Sequence, residues 1–113
     1  MINDIQISTH FKLREFQCRC CGLVKLSPRL LRMLEKLREA ARVPLVVTSG
    51  YRCPNHNRHV GGAPRSLHLD GCAADILAAP SAQKHLFAIA KSIGFSQVIC
   101  GDYKKYLHLE YIN

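Results

Sequence analysis

The sequence predicts an α+β fold: a single small domain with a mainly antiparallel sheet and flanking helices. Three observations predict it. The chain has 113 residues, a length that suits one domain with a modest core. Two segments repeat apolar residues at helical spacing, and four short apolar or β-branched runs surround them. Their order is helix, strand, loop, strand, helix, strand, strand, which fits helices packed on an antiparallel sheet.

Each element has a local reason. Residues 1–25 show little periodicity and read as an N-terminal arm pinned by Phe11, Leu13 and Phe16. Ser27-Pro28 opens a helix, with Ser as the cap and Pro at the first position. Leu30, Leu31, Leu34, Leu37 and Ala41 then share one face, and the helix should stop before Pro44. Residues 45–48 form a β-branched run, read as a buried strand. Residues 50–63 hold Gly50, Pro54, Asn55, Asn57, Gly61 and Gly62, and read as a long loop; structureless loops of this length are usually functional. Residues 73–77 are a second strand. Ser81 is the expected cap of a second helix whose apolar face is Leu86, Phe87, Ile89, Ala90 and Ile93, with Gly94 as its stop. Residues 96–100 and 106–112 are strand-like, and 101–105 form the hairpin turn between them. No repeat, linker or low-complexity tract divides the chain, so residues 1–113 are read as one domain.

Sixteen Lys and Arg against eight Asp and Glu give a net charge of +8. Such a surface attracts polyanions, either nucleic acid or an anionic cell wall. The basic residues are scattered, with no nucleic-acid motif or aromatic stacking platform beside them, so specific nucleic-acid binding is not expected. No apolar run approaches the roughly 20 residues that span a bilayer. The first residues lack a basic segment followed by an apolar one, so no signal peptide is evident and the chain is expected to be cytoplasmic as synthesised. Six cysteines stand at 18, 20, 21, 53, 72 and 100. Without a secretion signal they should be mostly reduced. Cys18, Cys20, Cys21 and Cys53 could hold a second, structural metal, but paired C-x-x-C knuckles are missing. Packing thiols or a redox-dependent disulfide are the favoured reading. Cys72 and Cys100 read as buried small hydrophobes.

The chemistry concentrates in Ser66-Leu67-His68-Leu69-Asp70-Gly71-Cys72-Ala73-Ala74-Asp75 and in Leu107-His108-Leu109-Glu110-Tyr111. His68, Asp75 and His108 offer three ligands for zinc, and three protein ligands leave a fourth position for water. Asp75 lies in an apolar run, where a carboxylate needs a cation or a metal. On residue types alone, a salt bridge to Arg52 or Arg65 remains the alternative. His10, His56, His59 and His85 are read as ordinary surface or core imidazoles.

These segments resemble those of the zinc D-Ala-D-Ala carboxypeptidases, within the larger group of lysostaphin-type enzymes, D-Ala-D-Ala peptidases and hedgehog domains. The decapeptide from Ser66 to Asp75 is similar to their S-x-H-x-x-G-x-A-x-D signature. Ser49-Gly50-Tyr51-Arg52 resembles the S-G-Y-R segment, Gly61-Gly62-Ala63 the G-G-A turn, and His108 to Tyr111 the terminal H-x-x-Y piece. The arm from His10 to Cys18 is similar to that of a small, phage-like branch. The resemblance implies the hedgehog/D-Ala-D-Ala-peptidase fold, with one catalytic Zn²⁺ on His68, Asp75 and His108. It implies that Arg52 binds a substrate carboxylate or polarised carbonyl and that Ser66 orients a ligand or the substrate. It also gives Gly71 the role of letting His68 and Asp75 converge. The implied activity is metal-activated hydrolysis of peptidoglycan stem peptides by a monomer, as carboxypeptidase or endopeptidase. A phage endolysin released by a holin would need no signal peptide. The rival reading is a catalytically weak or inactive zinc-containing binding module of the same fold. One role does not transfer: several relatives place an acidic general base three positions before the last His, where this chain has Lys105. Glu110 is the preferred replacement, a surface salt bridge being its plain alternative, and Asp102 is the second candidate.

Overall fold

Ser27 starts the first helix as its sequence dictates. The computed structural model describes residues 2–112, and in it the Ser27 hydroxyl accepts from the Leu30 N–H at 3.3 Å. This caps α1 (Pro28–Ala41), whose first residue, Pro28, has no N–H to leave unpaired. Leu30, Leu34 and Leu37 are fully buried. The helix ends on Arg42 in the left-handed conformation, two residues before Pro44.

Four strands follow: β1 (Val47–Ser49), β2 (Ala73–Leu77), β3 (Gln97–Cys100) and β4 (Tyr106–Glu110). They form one sheet in the order β1-β2-β4-β3, with every neighbouring pair antiparallel. The predicted β2 is met residue for residue. β1 begins two residues later than the predicted 45–48 and carries a register shift between Val47 and Ser49.

Two departures from the sequence reading have local causes. The segment 50–63 is not a plain loop: it contains α2 (Pro54–His59). Its turn-forming composition is partly capping chemistry, because Pro54 sits at the first helical position and Cys53 Sγ accepts from the His56 N–H at 3.4 Å. The last helix, α3 (Pro80–Ile93), starts on Pro80 rather than after Ser81. Proline's fixed φ favours the first helical position, so the cap falls on Ala79, which offers no side-chain bond. Between β3 and β4 the turn closes through a 3-10 turn, Asp102–Lys104.

Side chains alternate across β2 and β4. Ala74, Ile76, Leu107 and Leu109 are fully buried and join α1 and α3 in the core. The opposite face carries Asp75, His108 and Glu110. The N-terminal arm closes another side of the core with Phe11 and Phe16, whose ring centroids lie 5.7 Å apart. It also meets the chain after β1. Tyr51 N–H donates to Phe16 O at 2.8 Å, and a Cβ on Gly50 would lie 2.6 Å from Phe16 Cα. Only glycine fits there. Cys72 and Cys100 are half-buried rather than buried as predicted. Cys20 and Cys21 are exposed, so neither is a packing thiol, whereas Cys18 is buried. Among the described residues, no helix is long and apolar enough to cross a membrane.

Candidate metal centre

Sheet register builds the site. Asp75 on β2 pairs with His108 on β4, Ser49 on β1 pairs with Asp75, and Ile99 on β3 pairs with His108. These four residues form one row across all four strands. His68 joins from outside the sheet, on a 3-10 turn (Leu67–Asp70) that precedes β2. Ser66 caps this turn by accepting from the His68 N–H at 3.2 Å. Gly71 ends it at φ 70, and its missing Cβ would have met Lys25 O at 2.4 Å. Ser66 and Gly71 thus aim the His68 ring through the backbone.

One ligand atom from each of His68, Asp75 and His108 lies within 4.8 Å of the others. The polar arrangement identifies the lone pairs. His68 is only 1 % exposed, and its Nδ1 lies 2.7 Å from Gly50 O. A carbonyl can only accept, so Nδ1 carries the proton and neutral His68 presents a bare lone pair at Nε2. That buried Nε2 has no hydrogen-bond partner, and it faces Asp75 Oδ1 at 3.4 Å. Two acceptors facing each other repel unless a cation or proton lies between them. The same Oδ1 lies 2.7 Å from His108 Nδ1. Burial pushes the Asp75 carboxyl up, but effects led by the hydrogen bond from His108 outweigh it and bring it down to about 2. Asp75 is therefore anionic at neutral pH. An orphaned buried imidazole nitrogen beside a buried carboxylate and a second imidazole fits a zinc ion, which takes such N and O donors.

The surroundings hold these ligands in place. Arg52 donates from Nη2 to Asp75 Oδ2 at 3.3 Å and from Nε to Ser49 Oγ at 3.0 Å. Asp75 thus meets the two histidines through one oxygen and Arg52 through the other, and the salt bridge to Arg52 that the sequence offered is formed. Glu110 Oε1 accepts from His108 Nε2 at 2.8 Å, which fixes that ring from its far side. Burial lowers the His108 pKa, but bonds to Asp75 and Glu110 win and raise it. A cleft of about 520 Å³ opens over the centre, lined by Arg52, Arg65, Ser66, His68, Asp75 and His108, with Tyr106 and Glu110 beside them. Asp75 and Glu110 are the only acidic residues in that lining. Asp102 lies outside it on an exposed turn, where its backbone bonds to the Gln83 side chain.

Residues 9–110 match the model of the Peptidase M15 family. The chain belongs to the M15 peptidase family. M15 enzymes are zinc D-Ala-D-Ala carboxypeptidases and their relatives, and family membership makes this chain a peptidase by descent. No curated protein matches it.

Sequence reasoning missed two parts of this M15 site. Asn57 is buried on α2, where Oδ1 lies 3.4 Å from Arg52 Nη1 and Nδ2 donates to Ala63 O at 2.8 Å. A Cβ on Gly62 would come within 2.1 Å of Asn57 Oδ1, so the G-G turn exists to admit this amide. An asparagine within a turn-rich segment reads as a turn former, and nothing local marks it as a clamp. Arg65, considered only as a partner for Asp75, instead is exposed on the wall of the cleft.

Proposed function

We propose that this M15 chain is a zinc peptidase that cleaves peptidoglycan stem peptides. One observation carries the reading: three convergent donors, His68, Asp75 and His108, lie at the floor of an open cleft with a guanidinium on its wall. A bound zinc ion supplies a Lewis acid for the scissile carbonyl and lowers the pKa of water at neutral pH.

The chain's own residues divide the remaining work. Arg52 is held at Nε, Nη1 and Nη2 by Ser49, Asn57 and Asp75. Its remaining N–H groups form a fixed fork for the oxyanion or for a terminal carboxylate. Arg65 adds a second cation for an anionic peptide. Glu110 takes the proton of the attacking water and returns it to the leaving amine, because among the described residues it is the only carboxylate of the cleft besides Asp75. Its bond to His108 also keeps that imidazole in orientation. Burial of His68 and Asp75 excludes bulk water from the floor. The net charge of +8 favours an anionic wall as the setting.

A rival reading, a zinc-containing wall-binding module, rests on the contact that ties Glu110 to His108. Incubating purified protein with cell-wall sacculi, with and without a chelator, separates the two. Chelator-sensitive release of new amino groups is expected. Binding without release, equal in Glu110→Gln, would leave only the binding module. Free D-alanine among the products marks a carboxypeptidase, and severed cross-links mark an endopeptidase.

A further inference from the structure

A second cluster lies apart from the cleft. We propose that Cys18, Cys20, Cys21 and Cys53 form a closed, structural zinc site. Their four sulfurs lie within 4.8 Å of one another. In a tetrahedral site with Zn–S bonds of about 2.3 Å, sulfurs sit about 3.8 Å apart, so modest side-chain adjustment completes the shell. Cys20 Sγ and Cys53 Sγ are already 3.5 Å apart, in hydrogen-bond contact and not joined as a disulfide.

The backbone is shaped as a metal-binding knuckle. Cys18 and Cys21 are separated by two residues and followed by Gly22 at φ 74. Gly22 N–H donates to Cys18 O at 2.9 Å, and Cys18 N–H donates to Leu23 O at 2.7 Å, closing a tight turn around the sulfurs. Backbone N–H groups point at two of the sulfurs: Cys53 N–H lies 3.5 Å from Cys18 Sγ, and His56 N–H lies 3.4 Å from Cys53 Sγ. Such bonds favour thiolates, the form that binds metal. Cys20 and Cys21 are exposed, so packing does not explain their presence here. Four sulfur donors leave no open position, which is the pattern of structural rather than catalytic zinc. On binding, each thiol passes its proton to solvent as its sulfur takes the metal.

The site would join the N-terminal arm to the segment that carries the catalytic fork. Cys53 follows Arg52 directly. Gly50, three residues before Cys53, holds His68 Nδ1 through its carbonyl. Arg52 N–H donates to His68 O at 3.1 Å. A metal clip across residues 18–53 therefore braces the same turn that aims His68 and Arg52.

The test counts zinc at the two sites separately. The Cys72→Ser/Cys100→Ser variant, purified under reducing conditions in the presence of zinc, leaves four thiols. Titrating it with an organomercurial beside a chromogenic zinc indicator should release one equivalent of zinc as those four thiols react. A second equivalent should remain until the His68→Ala change or a strong chelator removes it. Cobalt loaded into the His68→Ala protein should give thiolate-to-cobalt charge-transfer absorption that Cys20→Ser or Cys21→Ser diminishes. Mercurial titration that releases no zinc would overturn the proposal. So would a Cys20–Cys53 disulfide in freshly reduced protein, or iron rather than zinc in the cluster. A cobalt spectrum without sulfur charge transfer would overturn it even if the cysteine variants fail to fold.

Discussion

The two clusters of metal-ligating side chains differ in how the chain makes them. His68, Asp75 and His108 are set on or beside a paired sheet, and Asp75 and His108 are direct cross-strand neighbours. Their positions follow from register, which the buried face of β2 and β4 fixes. The four cysteines instead sit on the N-terminal arm and at the start of α2, outside the sheet, with two of them exposed. The first cluster has three donors below an open cleft, and the second has four sulfurs. Rigid placement with an open side suits chemistry, whereas closure between two irregular segments suits a brace.

The largest effects should come from breaking the first cluster. Asp75→Ala removes a proposed ligand, the neighbour of both imidazoles and the counter-ion of Arg52 at once. Turnover should fall to background, with one equivalent of zinc lost by elemental analysis and the other retained. His68→Ala should do the same. Loss of both ions together would show that the two regions are not independent. Next in size is Arg52→Ala, expected to lower turnover by about 10²- to 10³-fold, as for loss of one preorganised donor to a developing oxyanion. Zinc content should stay unchanged. Arg52→Lys should recover little, because a point charge cannot hold Ser49, Asn57 and Asp75 together. Normal turnover in either variant would remove Arg52 from the chemistry.

The comparison also explains what the sequence could reveal. The His68–Asp75–His108 set was legible because the resemblance to zinc carboxypeptidases runs through the decapeptide from Ser66 to Asp75 and through His108. Spacing alone was silent, since the convergence depends on the turn at Gly71 and on cross-strand pairing. The helices from Pro28 and the strand at 73–77 were legible through caps and apolar periodicity. Helix α2 was hidden because Pro54, Asn55 and Asn57 have turn composition, and six residues are too few to show a period. Asn57 acquires its contact with Arg52 only in three dimensions, whereas Glu110, two residues after His108 in one strand, shares its sheet face by simple alternation. The cysteine cluster was visible as residue types, but the closeness of Cys53 to Cys18–Cys21 needed the fold of the arm.

Glu110→Gln sharpens the contrast between aiming a ligand and moving a proton. If Glu110 acts chiefly by holding His108, the variant should lose about 10- to 100-fold in zinc affinity, the range for a group that orients a ligand. If it takes the water proton, turnover should fall by about 10²- to 10⁴-fold at saturating zinc, and the acid limb of the pH–rate profile should go with it. The second outcome is expected. A competition titration with a metal indicator, run beside kinetics at saturating zinc, separates them.

The smallest expected effect concerns the other end of the arm. His10 N–H donates to Glu35 Oε2 on α1 at 2.8 Å, and His10 Nδ1 lies 2.6 Å from Glu35 Oε1. Burial pushes the Glu35 carboxyl up, but the neighbouring Ser8 hydroxyl and the bonds from the His10 N–H and the His10 ring win and lower it. A carboxylate whose folded pKa lies below its unfolded value stabilises the fold above that unfolded value, about 4.3, and loses this contribution as pH falls through the folded one. Glu35→Gln should therefore lower the melting temperature by a few degrees at neutral pH, and the difference should shrink steadily in acid. A constant difference across the range would mean that Glu35 acts through packing rather than charge. Measured on zinc-loaded and zinc-depleted protein, the same experiment reports whether the arm depends on Glu35 alone or on the cysteine brace as well. A larger drop in the depleted protein is expected, because the arm would then be held mainly by its contacts at Phe11, Phe16 and Glu35.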